Sequence, residues 1–226
     1  MKDDTPDLHV GHRARLRQNF LDDNLAKYEL LELLLSYAIP RKDVRPLARM
    51  LYKKFGGIYP ILSAEIKDLM TVAGLGKNIA IFIKVVQKIM LEGYKCKLEK
   101  DATLFYNEEQ FNNYCLLMLG GKHIEESHVL YLDVEGRPIE DELHSMGSID
   151  YTDLRQREIV KKALDLDAKF VALVHNHPKP NCSFSEQDIA ATQKLKQALD
   201  MVNIVLHDHY VVSGGIVYSM KKSYFL

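Results

Sequence analysis

The residues best suited to chemistry lie in 174–188, VHNHPKPNCSFSEQD. His175 and His177 end a short, nearly all-apolar run, KFVALVH (169–175), of the kind that forms a central strand buried on both faces. In an extended chain residues i and i+2 point the same way, so the two imidazoles converge. A loop containing two prolines follows. Ser185 then opens a helix, and Asp188 falls in its first turn, where it can present a carboxylate as third ligand. Two imidazoles and one carboxylate suit Zn²⁺ with a fourth position left for water, the arrangement of catalytic rather than structural zinc. The plainer alternatives stand beside this. Ser185-x-x-Asp188 also fits an ordinary capping box, and a lone His-x-His pair is common.

These residues need a sheet and helices to hold them, and the C-terminal half supplies both. A helix is expected from Asn107 through Leu119, closed by Gly120-Gly121. SHVLYLD (127–133), a turn at 134–137 and residues 138–145 read as a hairpin of two strands. Residues 153–166 and 186–202 are amphipathic helices, and 203–212 with 214–220 are the last strands. His207-x-His209 is a second pair on a strand. No third ligand follows it at useful spacing, so a structural or supporting role is expected. The fold class is α+β, helices packed against a mixed sheet.

The N-terminal half reads as an all-α bundle of about five short helices, with no strand pattern before residue ~120. Segment 12–21 carries three arginines. Segment 25–39 places Leu30, Leu34 and Ala38 on one stripe, and 45–55 is bounded by Pro46 and Gly56-Gly57. Residues 66–90 place Val72-Ala73-Gly74-Leu75-Gly76 between two helices. The second helix begins near Lys77 and buries Ile79, Phe82, Ile83, Val86 and Ile89. The amides after Gly76 would be unpaired at the positive end of the helix dipole, a ready site for a phosphate. The pattern resembles the helix-hairpin-helix of DNA-binding proteins, which grip the backbone without reading sequence. Gly74, Gly76 and Lys77 are the candidate contacts. A plain structural turn is the competing account, and Lys84 and Lys88 fit a solvated face. The expected units are 1–95, a charge-rich linker at 96–106, and 107–226.

Composition agrees with two units. Of 226 residues 47% are hydrophobic and 27% charged, the balance of a globular chain. The first hundred residues hold 18 Lys and Arg against 12 Asp and Glu, while the remainder hold 12 against 19. The basic half is the better candidate for a nucleic-acid backbone. The longest uncharged apolar run is about eight residues, far short of the ~20 that a membrane-spanning helix needs, so no membrane partner is expected. The acidic, polar start Met1-Lys2-Asp3-Asp4 lacks the apolar core of a signal peptide. Three scattered cysteines suggest a reducing, cytoplasmic setting, with Cys182 an incidental loop residue.

His175-Asn176-His177-Pro178 followed by Ser185-x-x-Asp188 resembles the JAMM (MPN/JAB) metallopeptidase motif, specifically its RadC branch. GHRARLRQNFL (11–21), YELLELLLSYAIPRKDVRPLA (28–48) and the hairpin glycines look like the N-terminal region of the same family. The resemblance implies a cytidine-deaminase-like α/β/α core and hydrolysis of peptide or isopeptide bonds. It also implies a zinc held by His175, His177 and Asp188, and an oxyanion steadied by Ser185. It further implies a glutamate just before the first core strand as general acid/base. Counting back from Asp133 favours Glu126, with its neighbour Glu125 left open. Lys179-Pro180 replace the Ser-Gly usual after the motif, and Phe184 replaces a Pro. These changes stiffen or re-aim the loop, and Lys179 adds a positive charge near the site. A DNA-associated, non-catalytic scaffold is the alternative from a different class.

Overall fold

The computed structural model of the chain describes residues 11–100, 108–146, 156–179, 184–223 and 226. Residues 1–4, most of the expected linker (101–106), Asn107, Pro180 and Cys182 lie outside them. The chain divides into two compact units, residues 1–85 and 86–226.

The first unit is helical, as its spacing predicts. It contains α1 (His12–Leu21), α2 (Lys27–Ala38), α3 (Arg45–Phe55), α4 (Ile58–Ser63), the short α5 (Ile66–Leu69) and the start of α6 (Lys77–Lys100). Two of its cations are spent on helix ends, where carbonyls lack intrahelical donors. Arg13 donates to the carbonyls of Ser36, Ile39, Pro40 and Lys42 at 2.5–3.3 Å and caps α2. Lys84 donates to Leu62 O, Ser63 O and Ala64 O at 3.0, 3.3 and 3.0 Å. It is therefore a part-buried anchor of α4 and not the solvated charge its sequence position suggests.

Two expected stripes are displaced. In α2 the buried positions are Leu31, Glu32, Leu33, Leu35 and Ser36, while Leu30 is exposed. A run rich in leucine on every side carries no phase of its own. Glu32 is buried because His12 Nε2 lies 2.7 Å from its carboxylate and Arg45 Nε 3.6 Å. In α6 Ile89 is exposed and Gln87 is buried instead, its amide donating to Leu117 O at 2.6 Å.

Helix α6 also runs unbroken through 96–100, where a linker is expected, and the division between the units falls inside it. Within that stretch Leu98 is buried in the second unit, which gives the helix an apolar anchor there.

The second unit has three layers. Its sheet contains β1 (Glu126–Leu132), β2 (Pro138–Met146), β3 (Phe170–Asn176), β4 (Val205–Ser213) and β5 (Ile216–Ser219) in the order β2-β1-β3-β4-β5. Only β3 and β4 pair in parallel, so the sheet is mixed. Val129, Tyr131, Val171, Leu173 and Leu206 face α8 (Gln156–Asp165) and α9 (Glu186–Asp200). Leu130, Leu132, Ala172, Val174, Tyr210 and Val212 face Leu98 of α6 and α7 (Glu108–Leu119). The strict alternation along β3 fixes which face each residue at its C-terminal end must take. Gly120 follows α7 where no side chain fits, since a Cβ there would stand 2.6 Å from the Leu116 carbonyl oxygen.

Candidate metal centre

The period of two carries His175 past Leu173 onto the α9 side of the sheet, and His177 follows on the same side. Their Nε2 atoms stand 3.0 Å apart. Ser185 is the N-cap of α9. Its backbone N–H donates to Asp188 Oδ2 at 2.6 Å, and its Oγ accepts from the Asp188 N–H at 3.1 Å. The capping box expected as the plain alternative is thus present. The same turn also delivers Asp188 to the histidines, with Oδ1 3.5 Å from His175 Nε2 and Oδ2 3.5 Å from His177 Nε2.

Asp188 is fully buried, and its Oδ1 has no hydrogen-bond partner. A buried charged oxygen left unsatisfied is costly, and a cation held between this carboxylate and the two imidazoles would satisfy it. Two nitrogens bound to one tetrahedral zinc at 2.0–2.1 Å stand about 3.3 Å apart, close to the spacing here. The donor set of two imidazoles and a carboxylate therefore fits zinc.

The two glutamates ahead of β1 go opposite ways. Ser127 pairs with His175 across the sheet, so the odd positions of β1 share the histidine face. Glu125 accordingly reaches toward the site, its Oε1 3.9 Å from His177 Nε2. Ligating atoms of Glu125, His175 and His177 all lie within 4.8 Å of one another. Glu126, the glutamate expected there from the sequence, faces away and pairs with Lys122 Nζ at 3.0 Å. The register is hidden in the sequence because Val129-Leu130-Tyr131-Leu132 is apolar on both faces.

Asn176, between the histidines, takes the opposite face and clamps the segment that carries Glu125. Its Oδ1 accepts from the Glu126 N–H at 2.8 Å. Its Nδ2 donates to Ile124 O at 3.1 Å and Lys122 O at 3.4 Å. Sequence reasoning gave Asn176 no role; its signal was its parity, opposite to two inward-facing histidines.

Burial pushes the His175 pKa well below the ordinary imidazole value, and neighbouring His177 pushes it the same way. His209 is lowered by burial, with His175 adding to the effect. Glu125 is raised, first by burial and then by the charge of Asp188, against an opposing pull from His177. Burial thus favours the neutral ring of His175, the form a metal ligand takes.

The other candidates sit elsewhere. Ser185 is exposed at the start of α9, and with its oxygen accepting in the cap its hydroxyl proton remains to donate. Gly74 has φ +86°, and α6 begins at Lys77 with Gly76 O accepting from Ile79 and Ala80 at 3.0 and 3.1 Å. This is the expected hairpin turn, and a Cβ at Gly74 or Gly76 would meet nothing within 4 Å. Among the described residues no helix is long and apolar enough to cross a membrane.

Residues 105–225 match the family described as RadC-like JAB domain. The chain is 35% identical over 224 residues to the UPF0758 protein FN0909 of Fusobacterium nucleatum, covering 95% of this chain and 94% of that protein. It is 32% identical over 224 residues to the UPF0758 protein SPO0054 of Ruegeria pomeroyi, covering 98% and 100%.

Proposed function

The chain belongs to the RadC-like JAB domain family, and from that premise we propose that it is a zinc-dependent hydrolase of peptide or isopeptide bonds. The observation that carries the reading is Asp188 Oδ1, buried and unpartnered, 3.5 Å from the Nε2 of His175. His175, His177 and Asp188 would hold the ion. Glu125 is the competing third ligand, but its Oε1 stands 3.9 Å from His177 Nε2 where Asp188 stands 3.5 Å from each imidazole, and its side chain keeps 23% exposure against none for Asp188. Bound zinc would supply a Lewis acid that activates water at neutral pH and polarises the scissile carbonyl.

The chain's own groups do the rest. Glu125 takes the proton of the attacking water and returns one to the leaving amine, and its raised pKa suits that exchange. Asn176 holds the Glu125 segment against β3. The Ser185 hydroxyl would donate a hydrogen bond to the oxyanion of the tetrahedral intermediate. Lys179 is exposed next to the His-Asn-His-Pro turn and disfavours cationic substrate groups there.

Glu125→Gln and Glu126→Gln test the assignment on a panel of peptide and isopeptide amides. The first should keep zinc and lose kcat by about 10²–10⁴-fold. The second should leave kcat near wild type. The reverse result would return the acid/base role to Glu126.

A second activity is supported by the turn at Gly74 and Gly76, whose open approach ahead of the α6 N-terminus suits a phosphate. We infer weak, sequence-independent DNA binding that falls steeply with salt. Gly76→Leu should weaken it, and equal low-salt affinity of variant and wild type would remove the turn from the account.

A further inference from the structure

His209 is 1% exposed, polar, and not placed within reach of a substrate. It stands behind His175. Its Nε2 lies 2.7 Å from His175 Nδ1, and its Nδ1 lies 2.6 Å from Thr192 Oγ1. Thr192 Oγ1 in turn donates to the Asp188 carbonyl at 2.5 Å. The Phe184 ring stands edge-on to His209, centroids 5.8 Å apart, on the loop side. The residue reaches this place through a bulge. Val171 pairs with Leu206 but Ala172 with Asp208, so the strand slips by one at His207 and His209 comes level with Leu173 on the α9 face.

Counting protons fixes the direction of the chain. The Asp188 carbonyl only accepts, so it takes the single hydroxyl hydrogen of Thr192. The Thr192 oxygen is then an acceptor, and His209 Nδ1 must carry its hydrogen. A neutral buried ring with Nδ1–H has a bare Nε2, which accepts from His175 Nδ1–H. His175 Nε2 is therefore bare and points at His177 and Asp188.

We propose that His209, with Thr192, is a positioning residue that locks His175 in the Nδ1–H form and so presents its Nε2 lone pair to a divalent cation. The chain begins and ends on cation-binding residues, His175 of β3 and Asp188 of α9, so it also ties together the two elements that must hold one ion. A ligating histidine commonly donates its second N–H to a carboxylate or a backbone carbonyl. Here a neutral imidazole takes that place, and the support adds no charge to the site. The inference rests on the reading of the site as a metal centre.

The test uses the full chain with two conservative variants, Thr192→Ser and Thr192→Val. Ring ¹⁵N spectra of the metal-free protein report the tautomers, and chelator competition reports zinc affinity. Wild type should show Nδ1–H on both His175 and His209. Thr192→Ser, which keeps the hydroxyl, should match wild type in both readouts. Thr192→Val should lose the single tautomer of His209 and bind zinc about 10–100-fold more weakly. An Nε2–H form of His175 in the wild type would overturn the proposal. So would a Thr192→Val protein with lowered melting temperature but unchanged zinc affinity, the mark of a packing role alone. The expected tautomers together with no zinc uptake by wild type would overturn the metal reading and uphold the lock.

Discussion

Asp188→Asn should reverse its effect on stability when zinc is added. Asp188 is fully buried, with Oδ2 accepting from Ser185 N at 2.6 Å and Oδ1 at 3.5 Å from His175 Nε2 with no hydrogen-bond donor. Leaving such an oxygen unsatisfied costs about 1–3 kcal/mol or more. An asparagine amide keeps the oxygen for the cap and turns its NH₂ toward His175, where it can donate. Metal-free Asp188→Asn is therefore expected to gain about 1–2 kcal/mol. For a chain of this size that raises Tm by about 2–8 °C. Zinc at a hundred times Kd adds about 2.7 kcal/mol to the wild type, and the variant, deprived of its anionic ligand, gains little. Thermal unfolding in EDTA should then rank the variant above wild type, and unfolding in zinc should rank it below. A variant less stable than wild type in EDTA would show that Oδ1 is not an unmet demand. An equal gain from zinc in both proteins would remove Asp188 from the ligands.

Other perturbations address the surrounding frame. Asn176→Ala removes the three bonds that clamp residues 122–126, and should cost kcat through misplacement of Glu125 while zinc content is unchanged; equal kcat would leave the clamp without consequence. Lys84→Met strips the carbonyls of Leu62, Ser63 and Ala64 of a shared cation and should destabilise the helical unit by about 1–3 kcal/mol in urea, whereas a change under 0.5 kcal/mol, of the order seen at exposed surface positions, would return Lys84 to the solvated face. His207 has a pKa lowered to about 4, chiefly by burial. The unfolded chain takes up that proton first, so stability is lost as pH falls from the ordinary imidazole value toward about 4. His207→Gln should flatten the pH dependence of unfolding in that window by less than one proton, and an unchanged slope would show that His207 is not its source.

The helical first half and the mixed sheet of the second were legible because apolar spacing there follows one period at a time. Where the pattern was apolar on all sides it lost its phase. The leucine run of α2 hid the exposure of Leu30, and Val129–Leu132 hid which of Glu125 and Glu126 shares a face with His175. The meeting of His175, His177 and Asp188 was legible since it depends only on i,i+2 parity and one helical turn. His209 was not, because it reaches the His175 face only through the bulge at His207, and strict alternation from Leu206 would turn it to the other side. Lys84 and Arg13 look like solvated charges until the carbonyl ends they cap are in place.

The central claim is that His175, His177 and Asp188 together hold one zinc. Elemental analysis of the purified chain after zinc loading and exhaustive dialysis tests it most directly, alongside a His175→Ala/His177→Ala variant shown by circular dichroism to keep its fold. The account predicts close to one zinc per wild-type chain and almost none in the variant. Wild type free of zinc, or a variant that retains as much as wild type, would contradict it.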